Sequence, residues 1–389
     1  MEEQAYENEQ KENNQIKNEH ENEQNESEED INEQNEKKKN IIKNNIKKQK
    51  NNNNKNDIIY PIGLQNFLYV KKDSFNWGYN NYEMATGNIC YMNSSIQCLF
   101  HLKDFTDNIT KIATDKNTDL LKATSDLIEE MKSCKKVNSE VLSVKYIKKA
   151  MGEIDERYKD NNQEDANEFI SNFLDGLLNE IGDKNNLPKP LDIKNELDRV
   201  AYDKFYKRFY KTKGNSFLLD LFYSIFKTQK VCKSCGRINS IKFNAYNIIE
   251  LPIYGLAKNG NPIDLVEIIE KYKKNENIEG ECKFCSENKI YEEINMYDLS
   301  KYLILYFGRT INDKYIKNQI NIPELYYFED IQYNISSVIY YSKLGKKTGH
   351  YTASCKCDNG WYHFNDSSVT KEDNRNKFLK PIILIYERN

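Results

Sequence analysis

The chain has 389 residues, of which 30% are charged and 38% hydrophobic, and its formal net charge is -3. A charge so close to neutral gives no field that would attract nucleic acid or anionic lipid. The sequence has no run of about 18 apolar residues, so we predict no membrane helix. The polar N-terminus has no apolar signal core, so we expect a cytoplasmic and/or nuclear protein. Nine cysteines, four of them in two CxxC pairs, indicate metal-binding and catalytic sulfur rather than disulfides.

Composition divides the chain near residue 57. Residues 1–57 consist mainly of Asn, Gln, Glu and Lys, with 10 basic and 15 acidic residues. Such a segment buries too little apolar area to offset its conformational entropy, so we predict a disordered low-complexity tail. Its lysine run from Lys37 to Lys50 fits a nuclear-import or anionic-partner patch, or a plain solvated stretch. Residues 58–389 are predicted to form one globular domain.

The predicted elements change from helices to strands along this domain. Apolar residues at helical spacing predict a helix from Cys90 through Phe100 and another over 163–180. The charged residues 183–215, with two prolines, are predicted to be a linker into a further helical patch. Strands are predicted at 217–229, 238–252, 289–297, 300–307, 331–341, 350–356, 361–364 and 381–387. Helices followed by strands indicate an α+β fold.

A cysteine opens the first predicted helix. Cys90 follows the small, flexible pair Gly87-Asn88, and the positive end of a helix dipole favours a thiolate placed there. The backbone N–H groups of such a turn can face an incoming carbonyl, which indicates a nucleophile with part of an oxyanion hole. Taken alone, the same pattern also fits a buried structural cysteine.

A nucleophilic cysteine needs a base, and the chain has four histidines. We choose His350, which stands between Gly349 and Tyr351 at the start of a predicted strand, where glycine lets a backbone approach closely. Fifteen residues later, a second strand ends at Asn365-Asp366. Either side chain could accept from the imidazole and complete a triad in the order Cys, His, Asn or Asp. The alternative is a plain turn, because Asn-Asp-Ser-Ser is turn-prone.

These motifs together resemble the ubiquitin-specific protease family of cysteine deubiquitinases. The similarity covers about 58–389 in the family's order, and the matching segments are the cysteine box at 87–99, a second signature at 163–169, and the histidine box at 349–351, 361–369 and 384–386. The resemblance implies a papain-like core with thumb, palm and zinc-ribbon fingers. It also implies hydrolysis of the isopeptide bond at the C-terminal glycine of ubiquitin, with ubiquitin and ubiquitinated proteins as partners.

The resemblance assigns the catalytic roles residue by residue. Cys90 is the expected nucleophile and His350 the expected base. Asn365 is expected to orient the imidazole, and Asp366 to be the adjacent acid that supports the site.

The second signature is expected to bind the ubiquitin tail. Asp165 and Glu168 stand three apart on one predicted helical face. In the family such carboxylates face the arginine-containing tail, where charge-assisted pairing is strong; a solvated acidic face is the alternative. Gln163, Gly349 and Tyr351 are expected beside the narrow channel for the diglycine end.

One departure from the family pattern concerns the oxyanion hole. Twenty residues, 67–86, separate Asn66 from Gly87, where the family has one. Directly counted, the position of the family's asparagine is taken by Ala85, which cannot donate. Either the insert loops out and Asn66 returns to its place, or the hole relies on backbone N–H groups with Asp366 or Asn88 assisting. The insert could also be an error in the gene model.

The departure keeps two other functions open. The chain could be a catalytically weak or inactive ubiquitin-binding scaffold, or a protease for another ubiquitin-like modifier. A second departure is Thr310 after Arg309, where the family has Arg-Phe, which leaves the local channel wall open to question.

Two further cysteine pairs lie within the predicted fingers region, 217–300. The Cys232/Cys235 and Cys282/Cys285 pairs are separated by 46 residues. Each CxxC turn can grip a metal, and four thiolates make a closed tetrahedral shell that suits structural zinc. The separation exceeds the usual ribbon spacing of about 15–20 residues, so the intervening chain must loop out and return. Redox-active pairs are the alternative.

Overall fold

The computed structural model describes most of the predicted domain. The described residues are 59, 61–71, 82–86, 88–116, 118–134, 136–137, 141–257, 260–278, 280–311, 314–345, 348–372 and 380–389, with the backbone alone at 67–71, 82–86 and 275–277. The predicted tail at 1–57 lies outside these residues and stays a prediction. Within them, none of the helices combines the length and apolarity that a membrane crossing requires.

The helices are concentrated before residue 223. They are α1 Cys90–Phe100, α2 Lys103–Ile112, α3 Asp119–Ser133, α4 Lys145–Ile154, α5 Ala166–Ile181, α6 Glu196–Lys213, α7 Phe217–Phe222 and α8 Leu265–Lys273. Every residue of α1 is buried, and α1 to α5 share one hydrophobic core with the main sheet. A helix surrounded by packed neighbours has little freedom to shift. The first residue of α1 is therefore held in a defined place.

Twenty strands are described. They are β1 Gly63–Leu64, β2 Phe67–Lys71, β3 Tyr82–Thr86, β4 Val141–Leu142, β5 Ser224–Cys232, β6 Ile238–Tyr246, β7 Ile249–Leu251, β8 Ile263–Asp264, β9 Lys274–Ile278, β10 Ile290–Asp298, β11 Tyr302–Phe307, β12 Thr310–Ile311, β13 Lys314–Tyr315, β14 Ile320–Asn321, β15 Leu325–Phe328, β16 Ile331–Lys343, β17 Gly349–Cys357, β18 Gly360–Asn365, β19 Ser368–Glu372 and β20 Pro381–Arg388. The largest sheet has the order β19-β18-β17-β16-β20-β11-β7, with β15 on β16. A smaller sheet, β6-β5-β10-β9, carries the two CxxC turns at one end.

The α+β prediction is confirmed, and the later predicted strands agree with the structure within about two residues at most ends. The prediction was wrong at 217–222, which form α7; Ser216 caps it by accepting from the backbone N–H of Leu218. This short apolar segment is buried, so its sequence shows no periodicity that separates helix from strand.

The predicted linker at 183–215 also contains more structure than expected. Its second half is α6, capped by Asn195, whose side chain accepts from the backbone N–H of Asp198. Tyr202 and Phe205 of this helix pack on Phe243 of β6 in a small separate core. The charged residues between these aromatics obscured the apolar face of α6 in the sequence.

Arg309, at the second departure from the family pattern, is only 1% exposed. Its guanidinium donates to the carbonyl oxygens of Pro381 at 2.6 Å, Ile316 at 3.0 Å and Asn318 at 2.9 Å. Burial lowers the pKa of this guanidinium. The arginine therefore links the segment after β11 to the start of β20, with Thr310 rather than an aromatic residue next in the sequence.

Candidate active site

Cys90 is the first residue of α1 and is 2% exposed. Within the described residues no side chain caps this helix end, so its first N–H groups keep their capacity to donate and carry the positive end of the helix dipole. Asn88, two residues earlier, adopts a left-handed backbone with φ +46°, which asparagine tolerates better than most residues. Its side chain, predicted as an oxyanion donor, instead donates to the carbonyl oxygen of Asn161 at 2.9 Å.

His350, on β17, interacts with Cys90 and with Asn365 of β18. Its Nε2 lies 2.7 Å from Oδ1 of Asn365 on the neighbouring strand β18. A hydrogen bond with Cys90 raises the pKa of His350 to about 9; burial opposes the rise, while Asn365 and the charges of Cys90 and Asp366 add to it. Because Asn365 occupies Nε2, Nδ1 is the nitrogen left to exchange a proton with sulfur.

Asp366 organises the residues around this imidazole. It lies in the turn between β18 and β19 with φ +51°, and its Oδ2 is 3.8 Å from Nε2 of His350. The two carboxylate oxygens accept from the amides of Asn66 and Asn93, each at 2.8 Å. The backbone carbonyl accepts from the N–H of Leu64 at 2.9 Å. Asp366 therefore joins the turn to both the segment before the insert and the helix that carries the cysteine.

The insert leaves and returns as two paired strands. Phe67 of β2 is opposite Thr86 of β3, and Ala85 is opposite Leu68. As a result Asn66 lies beside the helix start, where its Oδ1 accepts from the N–H of Ile89 at 3.0 Å. Of the two routes that the sequence left open, the structure therefore has the one in which Asn66 returns. One N–H of the Asn66 amide is used by Asp366, and the amide carries a second.

The segment before α5 forms a second wall of the site. Gln163 holds the backbone of Gly349 through two hydrogen bonds, from its Nε2 to the carbonyl at 2.8 Å and from the glycine N–H to its Oε1 at 2.9 Å. A Cβ on Gly349 would lie 2.1–2.2 Å from the ring of Tyr341. A side chain at this position would have to displace the Tyr341 ring.

The two acids of the second signature have different surroundings. Asp165 lies just before α5, and its carboxylate accepts from the N–H of Asn167 at 3.1 Å and from the hydroxyl of Tyr351 at 3.3 Å. Burial raises the pKa of Asp165. Glu168 is exposed and forms an ion pair with Arg157. The two acids therefore differ in their partners, because Asp165 caps α5 and binds Tyr351 while Glu168, three positions later, is exposed.

Three polar residues near the site were missed in the sequence. Asn93 lies one turn after Cys90, a spacing that could have identified it. Arg157 forms the ion pair with Glu168. Lys148 is 7% exposed and donates to the carbonyl oxygens of Tyr158 and Asp160, both at 2.6 Å. These bonds shape the loop that leads to Gln163.

The four predicted metal ligands come together at the tip of the smaller sheet. Their sulfur atoms all lie within 4.8 Å of one another, with Cys232 and Cys285 at 3.6 Å and Cys235 and Cys282 at 3.7 Å. Four sulfurs held at about 2.3 Å from one zinc ion stand about 3.8 Å apart, so this cluster has the dimensions of a tetrahedral thiolate site.

Both CxxC turns have the same backbone bonds. The N–H of Gly236 donates to the carbonyl of Cys232, and the N–H of Ser286 donates to the carbonyl of Cys282, each at 2.9 Å. Gly236 and Ser286 both adopt positive φ, at +70° and +59°. The two turns are therefore equivalent halves of one site.

A family model described as ubiquitin carboxyl-terminal hydrolase matches residues 82–386. The chain belongs to the ubiquitin carboxyl-terminal hydrolase family. Among its curated relatives in that family, Usp2 of Drosophila melanogaster is 26% identical over 337 residues, which cover 78% of this chain and 34% of that protein. Ubiquitin carboxyl-terminal hydrolase 2 of Homo sapiens is 27% identical over 315 residues, which cover 73% and 51%. The chain thus spans about a third to a half of the length of these relatives.

Solved structures support the same ubiquitin hydrolase fold. The SAGA deubiquitinase module of Ubp8, Sgf11, Sus1 and Sgf73 bound to monoubiquitin matches with TM-score 0.63 and 17% identity, over 86% of this chain and 71% of that one. A yeast SAGA deubiquitinase module matches with TM-score 0.61 and 18% identity, over 84% and 68%. At this identity the likeness shows the fold, and the predicted ubiquitin-specific protease architecture is confirmed.

Proposed function

We propose that this protein is a thiol-dependent deubiquitinase that hydrolyses the isopeptide bond between the C-terminal glycine of ubiquitin and a lysine amine. One observation carries the proposal: His350, whose Nε2 lies 2.7 Å from Oδ1 of Asn365, has its pKa raised chiefly by the Cys90 thiol, which opens a buried helix without a side-chain cap. Family membership and the matched ubiquitin-bound module support ubiquitin as the partner.

Acylation uses the thiolate and the imidazolium together. The Cys90 sulfur forms a bond to the glycine carbonyl carbon, and the carbonyl electron pair moves to oxygen. The backbone N–H groups at the start of α1 and the second amide N–H of Asn66 are available to stabilise that oxyanion. As the C–N bond breaks, His350 gives its proton to the lysine amine, which leaves with the acceptor protein.

Deacylation reverses the role of the imidazole. Neutral His350 takes a proton from water and the hydroxide adds to the thioester carbonyl. The C–S bond then breaks, the Cys90 thiolate leaves, and the new carboxyl end of ubiquitin loses its proton to solvent. Asn365 keeps the ring oriented in both steps. Asp366 acts through Asn66, whose amide it positions.

The wall of Gln163, Gly349 and Tyr341 suits a narrow diglycine, because the backbone of Gly349 is pinned and a side chain there has no space. Glu168 is the exposed carboxylate at this wall, and an arginine of the ubiquitin tail would exchange with Arg157 to pair with it. Asp165 and Tyr351 hold each other and shape the wall from behind.

We also propose that Cys232, Cys235, Cys282 and Cys285 hold one structural zinc ion. The sulfur spacing supports it, as do N–H donors at 3.4 Å from Phe284 to Cys282 and at 3.5 Å from Cys235 to Cys232, because such bonds favour thiolates. A bound zinc would cross-link the two turns.

The catalytic proposal is tested on the full chain with ubiquitin carrying a small fluorogenic amide at its C-terminus. We expect turnover by the wild type and by Cys134→Ala, a matched loss of a thiol that lies at the end of α3. We expect none above background from Cys90→Ala. A folded wild-type protein that binds ubiquitin without turnover would refute the enzyme and favour a binding scaffold. Turnover only of another modifier's amide would refute ubiquitin as the substrate.

A further inference from the structure

Two strands of the insert form a ribbon at the edge of the active site. We name β2 (Phe67–Lys71) and β3 (Tyr82–Thr86) the active-site ribbon. Its first strand starts directly after Asn66, and its second ends four positions before Cys90. The hydrogen bond between Asn66 and Ile89 closes its base. Any motion of the base would therefore disturb the oxyanion side of the site.

The root of the ribbon is held firmly by the chain before it. The N–H of Gln65 donates to the carbonyl of Leu142 at 2.7 Å, and the Gln97 amide donates to the carbonyl of Ile62 at 2.6 Å. Gly63 lies so close to the turn after β18 that a Cβ would be 2.3 Å from the carbonyl oxygen of Ser367. A ribbon on a fixed root can contribute binding energy without first being ordered at its base.

Strand order tells which side of the scissile bond the ribbon occupies. Across the sheet the strands run β19-β18-β17-β16, and His350 lies on β17. The proposed tail wall is on the β16 side, where Tyr341 is opposite Tyr351. The ribbon's root contacts Asp366 in the β18–β19 turn, on the other side. The acyl and amine halves of an isopeptide extend in opposite directions from the carbonyl carbon, so the ribbon is on the amine side.

The ribbon also has free hydrogen-bonding edges. Within the described residues, β2 and β3 pair only with each other, so each keeps an outer row of backbone N–H and C=O groups. Such an edge accepts an extended peptide as an added strand.

We propose that the active-site ribbon binds the acceptor polypeptide on either side of the modified lysine, as an extended segment added to one free edge. This inference rests on the proposed deubiquitinase function. It makes the insert an element of substrate selection, since the donor ubiquitin lies on the opposite side of the cysteine.

The test compares two substrates in the full chain. One is ubiquitin with a small fluorogenic amide, which has no acceptor polypeptide. The other is ubiquitin joined by an isopeptide to the lysine of a fluorescent peptide of about ten residues, a length that spans a strand. The first variant replaces 67–86 with one serine, the spacing that the family resemblance gives.

A second variant, Tyr69→Pro with Met84→Pro, keeps the chain length and removes backbone donors from the ribbon. Melting curves and the rate of Cys90 labelling by a ubiquitin C-terminal electrophile check that both variants keep the fold and the site.

We expect kcat/KM for the peptide conjugate to fall about tenfold or more in both variants, while that for the small amide changes less than about threefold. Tenfold equals about 1.4 kcal/mol, the net worth of one or two hydrogen bonds. Equal losses on both substrates, or no loss on either, would overturn the inference. A wild type that does not cleave the small amide would instead refute the deubiquitinase itself.

Discussion

The hydrogen bond from Asn365 to His350 makes a prediction about pH. Asn365→Ala removes the acceptor 2.7 Å from Nε2. A hydrogen bond to a charged group contributes about 1.5–3 kcal/mol, and the His350 side chain is 29% exposed, so solvent screening favours the lower end. About 1.4 kcal/mol corresponds to one pKa unit. The pKa of His350, raised to about 9 in the wild type, should therefore fall by about one unit.

The assay is the pH dependence of kcat/KM on the small ubiquitin amide. Acylation needs the imidazolium to protonate the leaving amine, so activity should decline as the pH rises through about 9. In Asn365→Ala the decline should begin about one unit lower.

The matched control is Asn365→Asp, which keeps an acceptor and adds a negative charge. Its decline should occur at a pH no lower than in the wild type. An alkaline limb that stays unchanged in Asn365→Ala, with the fold intact, would refute the assignment of Asn365 as the partner of the imidazolium. A change of maximal rate alone would refute it equally.

The raised pKa of His350 also makes the stability of the fold depend on pH. The pKa of folded His350 lies above the usual histidine value of about 6.5. Its stabilising contribution is therefore complete below that pH and is lost as the pH rises through about 9.

Four further predictions concern single residues. Asn66→Ala should lower kcat about 10²–10³-fold on the small amide; a loss below threefold would exclude its amide from the oxyanion hole. Gly349→Ala places a methyl group against the Tyr341 ring and should raise KM for ubiquitin about tenfold or more, unless Tyr341→Ala in the same chain restores it. Cys282→Ser should reduce bound zinc well below one per chain and lower the melting temperature, and elemental analysis with a chelator-treated wild type is the comparison. Ser286→Gly should stabilise the chain by about 1 kcal/mol, because the left-handed backbone there is costly for serine; a lower denaturation midpoint would contradict this.

The sequence alone predicted the family, the fold class and the residue types of the site. A cysteine before an apolar helix, a glycine-flanked histidine at a strand start and paired CxxC turns are local patterns. Each places a reactive atom within a few residues of the element that holds it, so no distant contact is needed to recognise it. The match of the later strands has the same origin, since they alternate or end at clear turn residues.

What sequence patterns could not supply are the partners of these residues. The route of the insert depends on the Asn66 to Asp366 bond, which joins positions 300 apart. Arg157 forms an ion pair with Glu168, the exposed acid of the second signature. Lys148 donates to two backbone carbonyls of the loop that leads to Gln163. The apolar segment of α7 is a helix that Ser216 caps and whose apolar residues pack into the main core.

The amino-acid order by itself determined which atoms can react and which can bind metal, because those abilities belong to side chains and their near neighbours. Tertiary structure alone decided which of the asparagines lies beside the start of the cysteine helix, which acids face solvent and where the insert emerges. Hydrogen bonds between distant segments set these choices, and their geometry exists only once the helices and the sheet have packed together.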